Sequence, residues 1–219
     1  RTKTSASSSV PIDGSASAVR LDDPGSDEVS AVFLQPLTPF AISSDSTRVV
    51  YTWTDGSGNR GLYSVSIDRS AAPVALATGD VGPLFAVSPL GSRAFFTLDV
   101  TDTDTFELHS VSLLNGAGLV KLSAELARDT FADVDSPVPS QKDFAISSLG
   151  ERVVYRADPN TDDEFQLFSV PAAGGARARV LTGSGVVRDF QISPDRERVV
   201  YRAYPAATFM DELYSVPLE

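Results

Sequence analysis

Apolar and polar positions alternate with a period of two through most of this chain, and the alternation recurs in blocks. The clearest block opens with an apolar run, crosses a short polar turn and resumes as a β-branched stretch. It occurs as FAISSDSTRVVY at residues 40–51, FAVSPLGSRAFF at 85–96, FAISSLGERVVY at 144–155 and FQISPDRERVVY at 190–201. The four copies align without a gap: each begins with Phe, carries Arg eight residues on (Arg48, Arg93, Arg152, Arg198) and ends on an aromatic ring. A second block follows in each copy, as GLYSVSI, ELHSVSL, QLFSVPA and ELYSVPL. A third apolar run closes the first three copies, as PVALAT, GLVKLS and ARVLTG.

These patterns predict four short strands per unit. The Phe-x-Ile-Ser run is strand a, and the turn after it (SSDS, SPLG, SSLG, SPDR) holds the Ser, Pro, Asp and Gly that supply turn dihedrals. The Arg-Val-Val-Tyr run is strand b, β-branched and aromatic. Leu-aromatic-Ser-Val is strand c, alternating with one buried face, and the last apolar run is strand d. No stretch sustains a 3.6-residue period, so the chain is expected to be all-β. Four-stranded units repeating strictly along a chain favour radial stacking as the blades of a β-propeller over a sandwich.

The motifs ISPDRERVVYRA and DELYSVPL resemble the WD40-like (PD40-type) repeats of TolB-type β-propellers, also found in the propeller domains of prolyl-oligopeptidase-type enzymes. The resemblance covers about residues 40–219. It is specific for fold and poor for function, because such proteins share blades rather than an active site.

Residues 8–21 (SSVPIDGSASAVRL) match strands c and d of a unit without a and b, while the last unit stops before any strand d. The N-terminal strand is therefore expected to complete the last blade of a four-bladed ring, leaving no open sheet edge. The links from strand d to the next strand a alternate long (about 22–39), short (79–84), long (124–143) and short (182–189). A larger ring built from blade pairs, or a dimer, would keep that alternation too, and the fifth strand c copy is redundant in a ring of four. On this reading the whole chain, residues 1–219, is one propeller, monomeric or dimeric.

Composition narrows the chemistry. Without cysteine the chain has no disulfide, thiolate metal site or cysteine nucleophile. A net charge of −11 with no basic run argues against nucleic acid, and no apolar stretch is long enough to span a bilayer as a helix. The resemblance and the lack of cysteine fit a bacterial periplasmic or extracellular protein.

Candidate sites follow from departures from the repeat. The turns between strands b and c are acidic in two units, with Asp99, Asp102 and Asp104 in one and Asp158, Asn160 and Asp162 in the other. Alternate oxygens of this kind would suit Ca²⁺, and no other cofactor is expected; equally, they are solvated hairpin tips. His109 is the sole histidine and stands where sibling units have Tyr63, Phe168 and Tyr214, so it is expected to pack in the sheet rather than serve a Ser-His-Asp triad. The repeated arginines are expected to satisfy a turn carboxylate such as Asp45 or Asp195, or to lie along the sheet. Trp53, the one tryptophan, replaces Leu98, Ala157 and Ala203 of the siblings and is a candidate contact residue. The two long links carry Phe33, Leu34 and Phe131 and, joining strand d to strand a, are expected on one face of the disc. The chain thus reads as a non-catalytic scaffold binding a protein or small ligand on that face. The alternatives are the propeller portion of a larger hydrolase and a metal-stabilised surface protein.

Overall fold

The computed structural model describes residues 8–13, 15–22, 40–54, 60–100, 106–123, 144–157, 164–183, 185–205 and 210–219. Within them lie seventeen strands and no helix. A hairpin of β1 (Ser8–Ser9) and β2 (Val19–Arg20) comes first. The first four-stranded sheet holds β3 (Phe40–Ile42), β4 (Arg48–Thr54), β5 (Arg60–Ser66) and β6 (Val74–Ala77). The second holds β7 (Asp80–Val87), β8 (Arg93–Asp99), β9 (Phe106–Ser112) and β10 (Val120–Lys121). The third holds β11 (Phe144–Ile146), β12 (Arg152–Ala157), β13 (Gln166–Pro171) and β14 (Arg179–Val180). The last sheet has three strands, β15 (Val186–Ile192), β16 (Arg198–Tyr204) and β17 (Glu212–Pro217). In every sheet each strand bonds to its sequence neighbour, the meander that the a-b-c-d pattern predicts.

The repeat's turn chemistry sets the a-to-b hairpins. The amide of the first turn serine bonds back to the arginine carbonyl that opens strand b, at 2.9 Å for Ser43 and Arg48 and 2.9 Å for Ser147 and Arg152. The fourth turn residue sits in the left-handed region in all four copies, as Ser46 (φ 58°), Gly91 (φ 69°), Gly150 (φ 72°) and Arg196 (φ 66°). Two units thus meet this demand with glycine and two accept the strain of a side chain there.

Packing follows the strand alternation. One face of each sheet carries the first and third apolar residues of strand b, the strand c aromatic and the valine after it. The opposite face carries the second strand b residue, the strand c leucine and the strand c serine. The chain divides into two compact units, residues 1–98 with 111–119 and residues 99–110 with 120–219, the boundary running inside β9. In the first unit Val50, Leu62, Leu76 and Ala77 of the first sheet pack against Val81, Ala94, Phe96, Leu98, Val111 and Leu113. In the second, Val154, Leu167 and Leu181 of the third sheet pack against Val187, Phe190, Val199, Ala203 and Leu218. One rule serves both cores: the leucine face of one sheet meets the aromatic face of the following one. Directly opposed rings on strands b and c brace that aromatic face, Tyr51 on Tyr63 with centroids 5.8 Å apart and Tyr155 on Phe168 at 5.2 Å.

The N-terminal hairpin obeys the same rule. Leu21 is buried with Val49, Tyr51 and Val65 of the first sheet. Ser9 Oγ donates to the Ile67 carbonyl at 2.6 Å, and the Arg69 guanidinium donates to the Leu21 carbonyl. The hairpin is half a blade, strands c and d, seated where a preceding blade would sit.

Two expectations need correction. The N-terminal strand does not close the last blade: β2 pairs with β1 in the register Ser8 to Arg20 and Ser9 to Val19, and β17 bonds only to β16 among the described residues. A strand d that follows its strand c after only residues 10–18 loses less chain entropy by pairing locally than by closing across the whole chain. The short links are also strand rather than loop, since β7 begins at Asp80 and β15 at Val186, with a bulge between Val187 and Asp189. Strand a of the second and last sheets is therefore longer than the Phe-led motif alone implies.

Candidate functional site

The repeated arginines are structural. Arg48 Nε donates to Ser64 Oγ at 2.6 Å and its Nη2 to the Ser64 carbonyl at 3.4 Å, and Arg198 clasps Ser215 the same way at 2.6 and 3.1 Å. Of the two roles the sequence allowed, Arg48 and Arg198 take the one along the sheet. Arg93 reaches the Gly118 carbonyl at 3.0 Å, and Arg152 the Glu219 carboxylate at 3.0 Å. The turn carboxylates have other partners. Asp45 takes Ser43 Oγ at 2.5 Å and the Thr47 amide at 3.1 Å, and the Ser43 hydroxyl bond foremost holds its pKa below the ordinary carboxylate value.

His109 is buried in β9, opposite Lys121 of β10. Its Nδ1 lies 3.0 Å from the Glu107 carbonyl, a contact that only a protonated Nδ1 satisfies. Burial pushes the imidazole pKa below its usual value and outweighs the upward pull of the Glu107 carbonyl and carboxylate. The ring fills the aromatic position of the repeat, as its alignment implies.

Trp53 lies on the aromatic face of the first sheet, packed against the cluster of Leu21, Val49, Tyr51 and Val65. It meets Tyr63 edge to face, with centroids 5.8 Å apart and planes at 73°. Its cross-strand partner is Gly61, where the siblings carry Glu107, Gln166 and Glu212. A Cβ on Gly61 would lie 2.6 Å from the Tyr63 ring, so the glycine makes room for Tyr63 and Tyr63 for the indole. The departure from the repeat at Trp53 is matched by a second departure across the strand pair. That compensation is a packing signal, legible once strands b and c are set in register.

Of the proposed metal ligands, Asp99 ends β8 with its side chain buried, while Asp102, Asp104, Asp158, Asn160 and Asp162 lie outside the described residues. Among the described residues no group of three or more metal-ligating side chains converges. Phe33, Leu34 and Phe131 also lie outside them, but the strands flanking their links, β2 with β3 and β10 with β11, are strands d and a as the repeat predicts. Among the described residues no helix is long and apolar enough to cross a membrane.

The sequence did not point to a small cleft in the second unit. It measures about 260 Å³ and is lined by Thr182, Gly183, Val187, Tyr201, Ala203 and Tyr214, among others. Burial raises the Tyr201 pKa; that of Tyr214 is raised chiefly because its hydroxyl donates to Glu212 Oε2, at 2.6 Å. Both phenols therefore stay protonated as donors at neutral pH. The cleft is slightly below the usual range of small-molecule pockets and offers hydrogen bonds without a nucleophile and base in contact.

No protein-family model and no curated protein sequence matches the chain. Solved structures do. The putative TolB from Agrobacterium tumefaciens aligns over 92% of this chain and 70% of its own, at 17% identity and TM-score 0.53. TolB from Acinetobacter baumannii aligns over 82% of this chain and 42% of its own, at 15% identity and TM-score 0.51. The tricorn protease aligns over 87% of this chain but 19% of its own, at 15% identity and TM-score 0.56. At such identities the likeness speaks for the fold. With three four-stranded meanders, a three-stranded fourth and a half-blade hairpin, the chain has the all-β fold of TolB-like β-propellers.

Proposed function

We propose that the chain is a non-catalytic β-propeller scaffold that binds a protein or small ligand through the face carrying loops 22–39 and 124–143. As the TolB resemblance implies, it would work in the bacterial periplasm or outside the cell. The observation that carries this reading is how the repeat's polar side chains are used. Arg48 and Arg198 clasp their own sheets and the sole histidine is packed within one, which leaves recognition to the segments in which the units differ. The two long links are the largest of these, and they hold apolar residues flanked by charge. The test replaces Phe33, Leu34 and Phe131 together with serine. Partners retained from a periplasmic extract by the parent chain should be lost, with the thermal midpoint unchanged. Undiminished capture by the variant refutes the assignment to these loops.

A second reading, the propeller portion of a larger hydrolase, draws on the alignment to 19% of the tricorn protease chain. It predicts a catalytic domain encoded alongside this segment, and peptide hydrolysis by that longer product but not by this chain alone.

A further inference from the structure

The column of the repeat that holds Trp53 and Leu98 in the first two sheets holds Ala203 in the last. In the first two sheets the column is filled. Trp53 meets Tyr63 edge to face at 5.8 Å. Leu98 is buried in one cluster with Val81, and its Cδ1 would lie 3.9 Å from a Cβ on Gly79. The last sheet offers the same surroundings to a single methyl group. Thr182 and Gly183 repeat Thr78 and Gly79, Val187 repeats Val81, and Tyr214 stands in the column of Tyr63.

The cleft of about 260 Å³ lies at that vacancy, inside the second unit, where the segment after β14 meets the last sheet. Val187 and Ala203 give it an apolar lining, and Tyr201 and Tyr214, stacked with centroids 5.3 Å apart, give it aromatic rings. The Tyr214 hydroxyl donates to Glu212 Oε2 at 2.6 Å, which draws the ring toward Ala203, the cross-strand partner of Glu212. None of the described lining residues is charged, although the chain carries −11. A charged ligand would lose its hydration there without gaining a partner, so the cleft suits a neutral one. In another protein an apolar cavity of about 150 Å³ takes up benzene, so the space here is enough for a ring system of indole size.

We propose that this cleft binds a small neutral aromatic ring system over Ala203, against Tyr214, in the place that Trp53 takes against Tyr63. The chain supplies its own template: the first sheet shows that this column, beside a strand c tyrosine, accepts an indole in the edge-to-face arrangement that aromatic pairs prefer. Ala203 is what keeps the place open for a ring from outside. The same chemistry arrives as a free compound or as the tryptophan side chain of a partner protein, and the probes below separate the two. The site is distinct from loops 22–39 and 124–143, and neither assignment depends on the other.

The test is calorimetric titration of the whole chain with indole, indole-3-acetate and N-acetyltryptophanamide. Indole should bind at one site with a Kd on the order of 0.1–1 mM, and indole-3-acetate at least tenfold more weakly, because its carboxylate finds no partner. N-acetyltryptophanamide binding as well as indole assigns the site to a partner's side chain, and its exclusion assigns the site to a free compound. Ala203→Leu restores the side chain of Leu98. It should weaken indole tenfold or more and, by filling open space, raise the thermal midpoint by about 2–4 °C. Ala203→Val is the smaller substitution, should the leucine variant fail to fold. A parent that binds no indole overturns the proposal, and so does indole binding undiminished by both substitutions. A thermal midpoint lowered by both would show the space already filled by the chain itself, which also overturns it.

Discussion

The repeat sets up a controlled comparison of one side chain in two environments. Leu167 and Leu213 occupy the same strand c position in the third and last sheets, and both become alanine. Leu167 is fully buried among Val154, Leu181, Val187 and Val199. Truncation removes three carbons from that core, about 2.4 kcal/mol at ~0.8 kcal/mol per buried group. Incomplete collapse of the cavity brings the cost to about 3–4 kcal/mol. Leu213 is 76% exposed, so roughly a quarter of the transfer term applies and no cavity forms, giving about 0.5 kcal/mol.

Urea titration followed by far-ultraviolet circular dichroism reads both variants, in dilute protein so that copies do not associate. With a slope of about 2–3 kcal/mol per molar for a domain of this size, Leu167→Ala should lower the midpoint by more than ~1 M and Leu213→Ala by about 0.2 M. Trp53 fluorescence separates the two compact units, since the only tryptophan lies in the first and both leucines lie in the second. The Trp53 transition should not follow the Leu167→Ala shift if the units unfold independently. Equal losses from both substitutions at high dilution would refute the reasoning, because the leucine face of the last sheet would then be covered within the chain itself.

Three further outcomes follow from particular residues. The folded-state pKa of His109 is lowered by burial, so the stability tied to its neutral form is complete above the unfolded value of about 6.5 and drains away as pH falls below it; His109→Phe, matching Phe168, should flatten the fall in thermal midpoint between neutral pH and about pH 5.5, and parallel profiles for the two proteins would contradict this. Gly150 and Arg196 share a left-handed turn position at φ 72° and 66°; Gly150→Ala should cost about 1 kcal/mol and Arg196→Gly should stabilise by several tenths, less whatever the exposed Arg196 to Glu151 pair contributes, with urea midpoints deciding the signs. If the acidic turns at Asp99 and Asp158 hold Ca²⁺, the thermal midpoint should stand several degrees higher in Ca²⁺ than in chelator, and coincident midpoints would make them solvated hairpin tips.

What the residues disclose in advance depends on whether the information is local. Strand assignments follow from alternation, and turn geometry from the SSDS-type tetrads, because each needs only a few neighbouring residues. The packing role of His109 follows from its column in the repeat. Trp53 needed one more step: its meaning lies across the strand pair at Gly61, where volume lost on strand c is regained on strand b. The fate of the N-terminal segment needed more still. Its sequence suits strands c and d equally well whether strand d closes the last blade or pairs with its own strand c, and the nearer partner won.

Leu213 marks where such reading stops, and why. Its segment, ELYSVPL, differs from its buried siblings in no way that predicts exposure, because exposure here is a property of the neighbour and not of the residue. A repeat sequence encodes both sides of an interface in every copy, so the exposure of a face is set by whether a neighbour packs on it. Val10 and Ile12 of the hairpin and Val200 and Leu213 of the last sheet are exposed where most of their counterparts in the repeat are buried. Arg202, flanked by Asp189 and Asp211 at 2.6 and 3.3 Å, forms a charged cluster on the last sheet. It lies exposed, where an ion pair contributes little to stability and is readily displaced.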